Sequence, residues 1–133
     1  MFKRIRLFFA QKRDVKKVAG LFREIRSDIG VREIAELIRN KKIIVLKERK
    51  KFLGAFSFIQ LGIGLCSMVF IRKLVVAKKF RGKGLGSVVL RKLRSFTRRK
   101  KARGFLLWSL PQAKKFYKKN RLKNIGNIFW WRR

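Results

Sequence analysis

The sequence predicts a single mixed α/β domain over residues 1–133, an α+β arrangement with a mostly antiparallel central sheet flanked by helices, in the order β-α-α-β-β-β-α-β-α-β. Three observations lead there. A short β-type run at residues 5–9 is followed by two stretches whose apolar residues recur at helical spacing. Three strand-like stretches then succeed one another between residues 43 and 76, separated by turn signals. Beyond them, strand and helix alternate to the C-terminus. A chain of 133 residues, 47% of them hydrophobic, can bury one core and has no room for a second.

Each element carries its own signal. Asp14 stands at an N-cap position ahead of Val15, Val18, Phe22 and Ile25, which share one helix face. Residues 27–30 break the pattern. Val31, Ile34, Leu37 and Ile38, with Glu33 in the first turn, then make a second short helix ending near Asn40. Residues 43–46 read as a strand, 47–51 as a charged turn, 52–61 as a second strand and 66–76 as a third, joined as antiparallel hairpins. Leu85, Val89, Leu93 and Phe96 form the apolar stripe of a longer helix whose other face is basic. A strand over 105–109 follows, Pro111 opens a helix over 112–119, and residues 122–131 supply a final strand. Residues 52–71 also lack charge and have about the length of a membrane-spanning helix. Gly54, Gly62 and Gly64, with the polar Ser57, Gln60 and Ser67, favour a buried hairpin over that span.

Thirty-nine Lys and Arg face six Asp and Glu, for a net charge of +33. Such a surface attracts phosphate-rich partners and makes their binding salt-dependent; RNA, a ribosome, anionic lipid and phosphorylated cofactors all qualify, and a merely solvated basic surface is the competing explanation. Phe129, Trp130 and Trp131, next to Arg132 and Arg133, offer rings that could stack on bases. The same apolar terminal segment is a candidate edge for a homodimer. One cysteine, Cys66, and no histidine exclude a Cys/His metal centre, an intrachain disulfide and imidazole base catalysis. No metal is expected. Residues 1–6 are basic, but the apolar run at 7–10 is shorter than the roughly 7–15 residues of a secretory leader, which makes the cytoplasm the expected compartment.

The densest chemical signal is Arg81-Gly82-Lys83-Gly84-Leu85-Gly86, between an apolar strand and an amphipathic helix. Backbone N–H groups there, together with the helix N-terminus, suit a phosphate. Glycine permits close approach of the backbone and positive φ. The spacing fits neither a Walker A loop nor a dinucleotide fingerprint. A plain glycine-rich turn before a helix is the competing explanation.

With the preceding strand, residues 74–86 resemble the acetyl-CoA motif of the GCN5-related N-acetyltransferases, Arg/Gln-x-x-Gly-x-Gly/Ala. Ala113-Lys114-Lys115-Phe116-Tyr117-Lys118-Lys119-Asn120 is similar to that family's A-x-x-F/L-Y-x-K helix, and the element order agrees over nearly the whole chain. The resemblance implies a GNAT-type N-acyltransferase with acetyl-CoA as cosubstrate and an amine-bearing acceptor. Backbone amides of Arg81, Gly82, Lys83, Gly84, Leu85 and Gly86 would hold the pyrophosphate, with charge from Arg81 and Lys83. The exposed backbone of Leu74 and Val76 would pair with the pantetheine arm like an added strand. Trp108 and Ser109 would lie across the gap that receives the thioester. A primary amine attacks the thioester directly, and Tyr117, the only tyrosine, takes the position that protonates the leaving thiolate.

The chain also departs from the family. A general base is unassigned, because residues 52–77 hold neither carboxylate nor histidine. Of Asp14, Glu24, Asp28, Glu33, Glu36 and Glu48, only Asp28 and Glu33 fall in the turn that borders the family's acceptor site; helix capping and surface charge also explain both. Arg121 and Leu122 stand where Gly-Phe is common, and Leu110 where asparagine is common. A catalytically degenerate basic module that binds nucleic acid or ribosomes on the same fold is the alternative.

Overall fold

The computed structural model describes residues 4–25 and 28–133. Its strands are β1 (Ile5–Phe9), β2 (Ile43–Glu48), β3 (Lys51–Leu61), β4 (Met68–Val76), β5 (Gly104–Trp108), β6 (Lys123–Ile125) and β7 (Ile128–Arg132). They form a sheet in the order β1-β2-β3-β4-β5-β7-β6. The helices are α1 (Val15–Glu24), α2 (Val31–Arg39), α3 (Leu85–Arg99) and α4 (Lys114–Lys119). The chain divides into two compact units, Met1–Ser57 with Lys73–Gly86, and Phe58–Arg72 with Ser87–Arg133.

In the first unit, β1 pairs antiparallel with β2 and β2 antiparallel with β3. Val18, Leu21 and Phe22 of α1 and Ile34 and Ile38 of α2 pack with Ile43, Val45, Ala55 and Val75 in one buried cluster. A helical stripe of period 3.6 there meets alternate residues of strands. Asp14 acts one turn earlier than expected. Its buried carboxylate accepts the Gln11 N–H at 2.8 Å and closes a 3-10 turn, Lys12–Asp14, that leads into α1. Gly54 on β3 is needed for space: a Cβ there would lie 2.4 Å from the Val75 carbonyl oxygen.

In the second unit, β4 and β5 are parallel, as a helical crossover requires. β5 pairs antiparallel with β7, and β7 with β6. Val89, Leu93 and Phe96 of α3 are buried, and Phe96 meets Phe58 edge-on at 5.0 Å. Phe105, Leu107 and Phe129 are buried as well.

Three elements differ from the sequence expectation. The final strand is a hairpin, because Gly126 turns the chain at φ +57 and the Asn124 amide donates to the Gly126 carbonyl. Cys66 lies in a 3-10 turn, Gly64–Cys66, and β4 starts only at Met68. The Ser67 hydroxyl donates to the Gly64 carbonyl there, and the Gln60 amide donates to Ser67 Oγ and to the Lys100 carbonyl. The helix after Pro111 begins as a 3-10 turn, Pro111–Ala113. Residues 52–71 belong to β3, the turn and β4; among the described residues no helix is long and apolar enough to cross a membrane.

Helices α2, α3 and α4 share one ending. Lys41, Lys101 and Arg121 take φ of +56, +56 and +65, and the next N–H reaches five residues back, from Lys42 to Leu37, Ala102 to Thr97 and Leu122 to Tyr117. Glycine is the usual residue at that position. A cation there faces the negative end of the helix dipole, which offsets part of the left-handed strain. The turn after α4 is thus kept with arginine where the family commonly has glycine.

Candidate active site

β4 continues to Val76 although its ladder with β5 ends at Ile71↔Leu107, which leaves Leu74 and Val76 beyond that ladder. A 3-10 turn, Lys78–Phe80, then leads into the glycine loop. The end of α1 holds this turn in place. Glu24 Oε1 accepts the Lys78 N–H at 2.6 Å and lies 3.8 Å from Arg81 Nη2. Arg81 Nε donates to the Val76 carbonyl at 2.9 Å, so its guanidinium is folded back on the strand end. That carbonyl is already engaged within the chain, which leaves it one lone pair for any added strand.

Gly82 and Gly84 have φ of +76 and +77, with open space where a Cβ would stand. Backbone conformation, not crowding, demands glycine here. Leu85 is buried and pins the start of α3, whose first-turn N–H groups have no carbonyl one turn back. Lys78, Lys79, Arg81 and Lys83 are exposed around them. The Arg81 N–H is already held by the Lys78 carbonyl at 3.2 Å, so the cradle expected from Arg81 onward starts at Gly82; the amides from Gly82 into the first turn of α3, with exposed backbone and surrounding cations, fit a pyrophosphate.

The other predicted residues behave differently. In the second unit Tyr117 is partly buried on α4, its ring 5.3 Å from Phe129 and 5.4 Å from Phe116. Burial pushes the phenol above its ordinary pKa of 10.0 and keeps it protonated. Ser109 is buried and committed locally: its hydroxyl donates to the Leu110 carbonyl and its N–H to the Asn127 carbonyl, both at 2.7 Å. Trp108 is 61% exposed at the end of β5. In the first unit Asp28 and Glu33 are exposed; the N-cap of α2 is Gly30, so neither acid caps it. No acidic side chain follows Glu48 in the chain. Among the described residues no group of three His, Cys, Asp or Glu side chains is placed to hold a metal.

Glu24 was missed by the sequence reasoning. Its signal was its position, because an acid in the last turn of a helix opposes the dipole and calls for another partner.

No curated protein matches the sequence. A family model described as an acetyltransferase (GNAT) domain matches residues 39–120, more than half of the chain. Ard1 from Thermoplasma volcanium superposes with a TM-score of 0.78 at 16% identity, over 96% of this chain and 97% of that one. The PaiA N-acetyltransferase from Thermoplasma acidophilum, solved with coenzyme A, gives 0.77 at 14% identity over 98% and 99%. NAA60 from Arabidopsis thaliana, solved with a bisubstrate analogue, gives 0.78 at 13% identity over 98% and 99%. At these identities the solved structures speak for the fold, while the family match takes in both the glycine loop and the Tyr117 helix. The chain belongs to the GNAT acetyltransferase family, the acyl-CoA-dependent N-acyltransferases.

Proposed function

We propose that this chain transfers the acetyl group of acetyl-CoA to a primary amine by direct attack. One observation carries the proposal: two glycines at positive φ open the backbone toward the first turn of α3, behind an arginine tied to Glu24 and Val76. When bound, acetyl-CoA supplies an activated acyl group as a thioester. Amides from Gly82 to Gly86 would hold the pyrophosphate, and Arg81 and Lys83 would supply positive charge beside it. The backbone edge at Leu74 and Val76 orients the extended arm by strand addition. Tyr117 holds a proton at its phenol oxygen and delivers it to the leaving sulfur.

Asp28 and Glu33, exposed acids in a chain of +33, are the groups that would meet a cationic amine; Ser109, buried with its hydroxyl and N–H both engaged within the chain, is not free to contact it. No general base is assigned, so the amine attacks in its neutral form and turnover rises with pH up to the pKa of the acceptor.

The test is calorimetric titration of acetyl-CoA into nucleic-acid-free protein, with adenosine 3′,5′-bisphosphate as the anion control and Gly84→Val as the loop control. Saturable 1:1 binding that exceeds the control and is lost in the variant is expected, followed by release of free thiol with an amine acceptor. Equal binding of both ligands would overturn the cofactor site. Tight acetyl-CoA binding without thiol release across an amine panel would overturn the transfer reaction.

A further inference from the structure

The second unit carries a sheet face with exposed aromatic and aliphatic side chains. Register places Leu106 and Trp108 of β5 opposite Trp130 and Ile128 of β7, and Lys123 and Ile125 of β6 opposite the same two residues. Residues paired across strands point to one side of a sheet. The opposite side is the core side, where Phe105, Leu107 and Phe129 are buried and Trp131 packs on Phe105 at 5.9 Å. On the outer side Trp108 is 61% exposed, Ile125 74% and Ile128 38%, and Trp130 is partly exposed. Trp108 and Trp130 are diagonal neighbours, about 7–8 Å apart.

The two adjacent tryptophans differ in role. Trp131 is already stacked: the Arg98 guanidinium lies 5.1 Å from its ring centre and that of Arg94 5.9 Å. Trp130 has no such cation over its ring among the described residues, and both tryptophans border a groove of about 490 Å³ at the end of β7, lined also by Arg121, Lys123, Arg132 and Arg133. The groove lies where β6, which begins at Lys123, no longer covers β7, which runs on to Arg132.

We infer that this face is a platform for single-stranded nucleic acid, with bases stacked on Trp108 and Trp130 and phosphates held by Arg121, Lys123 and Arg132; Arg133 is excluded, because its guanidinium donates to the Arg98 carbonyl at 3.0 Å. Charge selects this occupant. No acidic side chain follows Glu48, so every charged side chain of the second unit is cationic and the unit repels a second copy of itself. Flat rings beside cations are the general means of holding unpaired bases, whatever their sequence. A duplex buries its base faces and could use only the charge. The inference goes beyond acetyl transfer and does not depend on it, because binding is measured without acetyl-CoA.

The experiment is fluorescence anisotropy of a labelled single-stranded oligouridylate, with a duplex of equal length and heparin as competitors, read alongside intrinsic tryptophan emission. Expected are preference for the single strand over the duplex and quenching of tryptophan emission on binding. Trp108→Ala, an exposed position, weakens single-strand binding about tenfold or more and leaves heparin binding unchanged. Lys123→Ala with Arg132→Ala weakens both and lowers the salt slope by about 1 to 2. Equal affinity for single strand and duplex with no effect of Trp108→Ala would reduce the face to a nonspecific cationic surface and overturn the inference. A dimer in sedimentation that is lost in Trp108→Ala would assign the face to a second copy and also overturn it.

Discussion

Replacing Gly54 by alanine would put a methyl carbon 2.4 Å from the Val75 carbonyl oxygen and 3.3 Å from Val76 Cα. Ordinary contact begins at 3.4 Å, so β3 and β4 must separate locally by about 1 Å. The obstructing atoms are backbone and cannot swing aside, which places the cost near the upper end of the usual overpacking range, about 3 kcal/mol. Alanine recovers about 1 kcal/mol of chain entropy relative to glycine, leaving a net loss of about 2 kcal/mol. For a chain of this size that lowers Tm by roughly 6–10 °C. The identical change at Gly20 should have the opposite sign. Gly20 lies inside α1, and a Cβ there meets only the end of the Arg23 side chain at 3.9 Å, so helix propensity alone acts and stabilises by about 1 kcal/mol. Thermal unfolding of the two variants beside the parent, with acetyl-CoA titrations, is the assay. Gly54→Ala should also lose cofactor affinity, because Val75 and Val76 are the strand end from which the glycine loop departs; Gly20→Ala should keep it. A Gly54→Ala protein that melts with the parent and binds with parental affinity would refute the close approach of β3 to β4.

Other outcomes follow from the same geometry. Tyr117→Phe should lower turnover about a hundredfold or more with little change in acetyl-CoA affinity, measured by steady-state kinetics and titration. The raised pKa of Tyr117 also gives a stabilisation that is whole below its unfolded value near 10.0 and is lost as pH rises through the folded value, so denaturant unfolding above pH 10 should weaken the parent more steeply than the Phe variant. Glu24→Gln should change stability by less than about 1 kcal/mol, since its pair with Arg81 is partly exposed at 3.8 Å, while calorimetry shows weaker acetyl-CoA binding as the turn at Lys78 loosens. Lys101→Gly should raise stability by roughly 0.5–1 kcal/mol in chemical denaturation, by relieving a φ of +56 at the end of α3.

What the sequence by itself determined was whatever repeats locally. The Leu85, Val89, Leu93 and Phe96 stripe is buried as its spacing implied, because helix geometry brings every third or fourth residue to one face. The Arg81–Gly86 loop was legible for a similar reason, since glycine's freedom at positive φ belongs to the residue itself. Even the confinement of all six acids to the first 48 residues needs only the order of the chain. The hairpin at Gly126 lay at the edge of legibility: its turn residues, Asn124, Gly126 and Asn127, were present, but the apolar residues on either side joined into one apparent strand. Tertiary structure alone decided the rest. Glu24 meets the Lys78 amide across 54 positions of chain, and Gly54 meets Val75 only because β3 and β4 are neighbours in the sheet. Trp108 and Trp130 share an outer face while Trp131 is covered by Arg94 and Arg98, an assignment set by the register of β5 with β7. Alternation along a strand tells which residues share a side; which side becomes the core depends on the helices that pack there, and those contacts exist only once the chain has closed on itself.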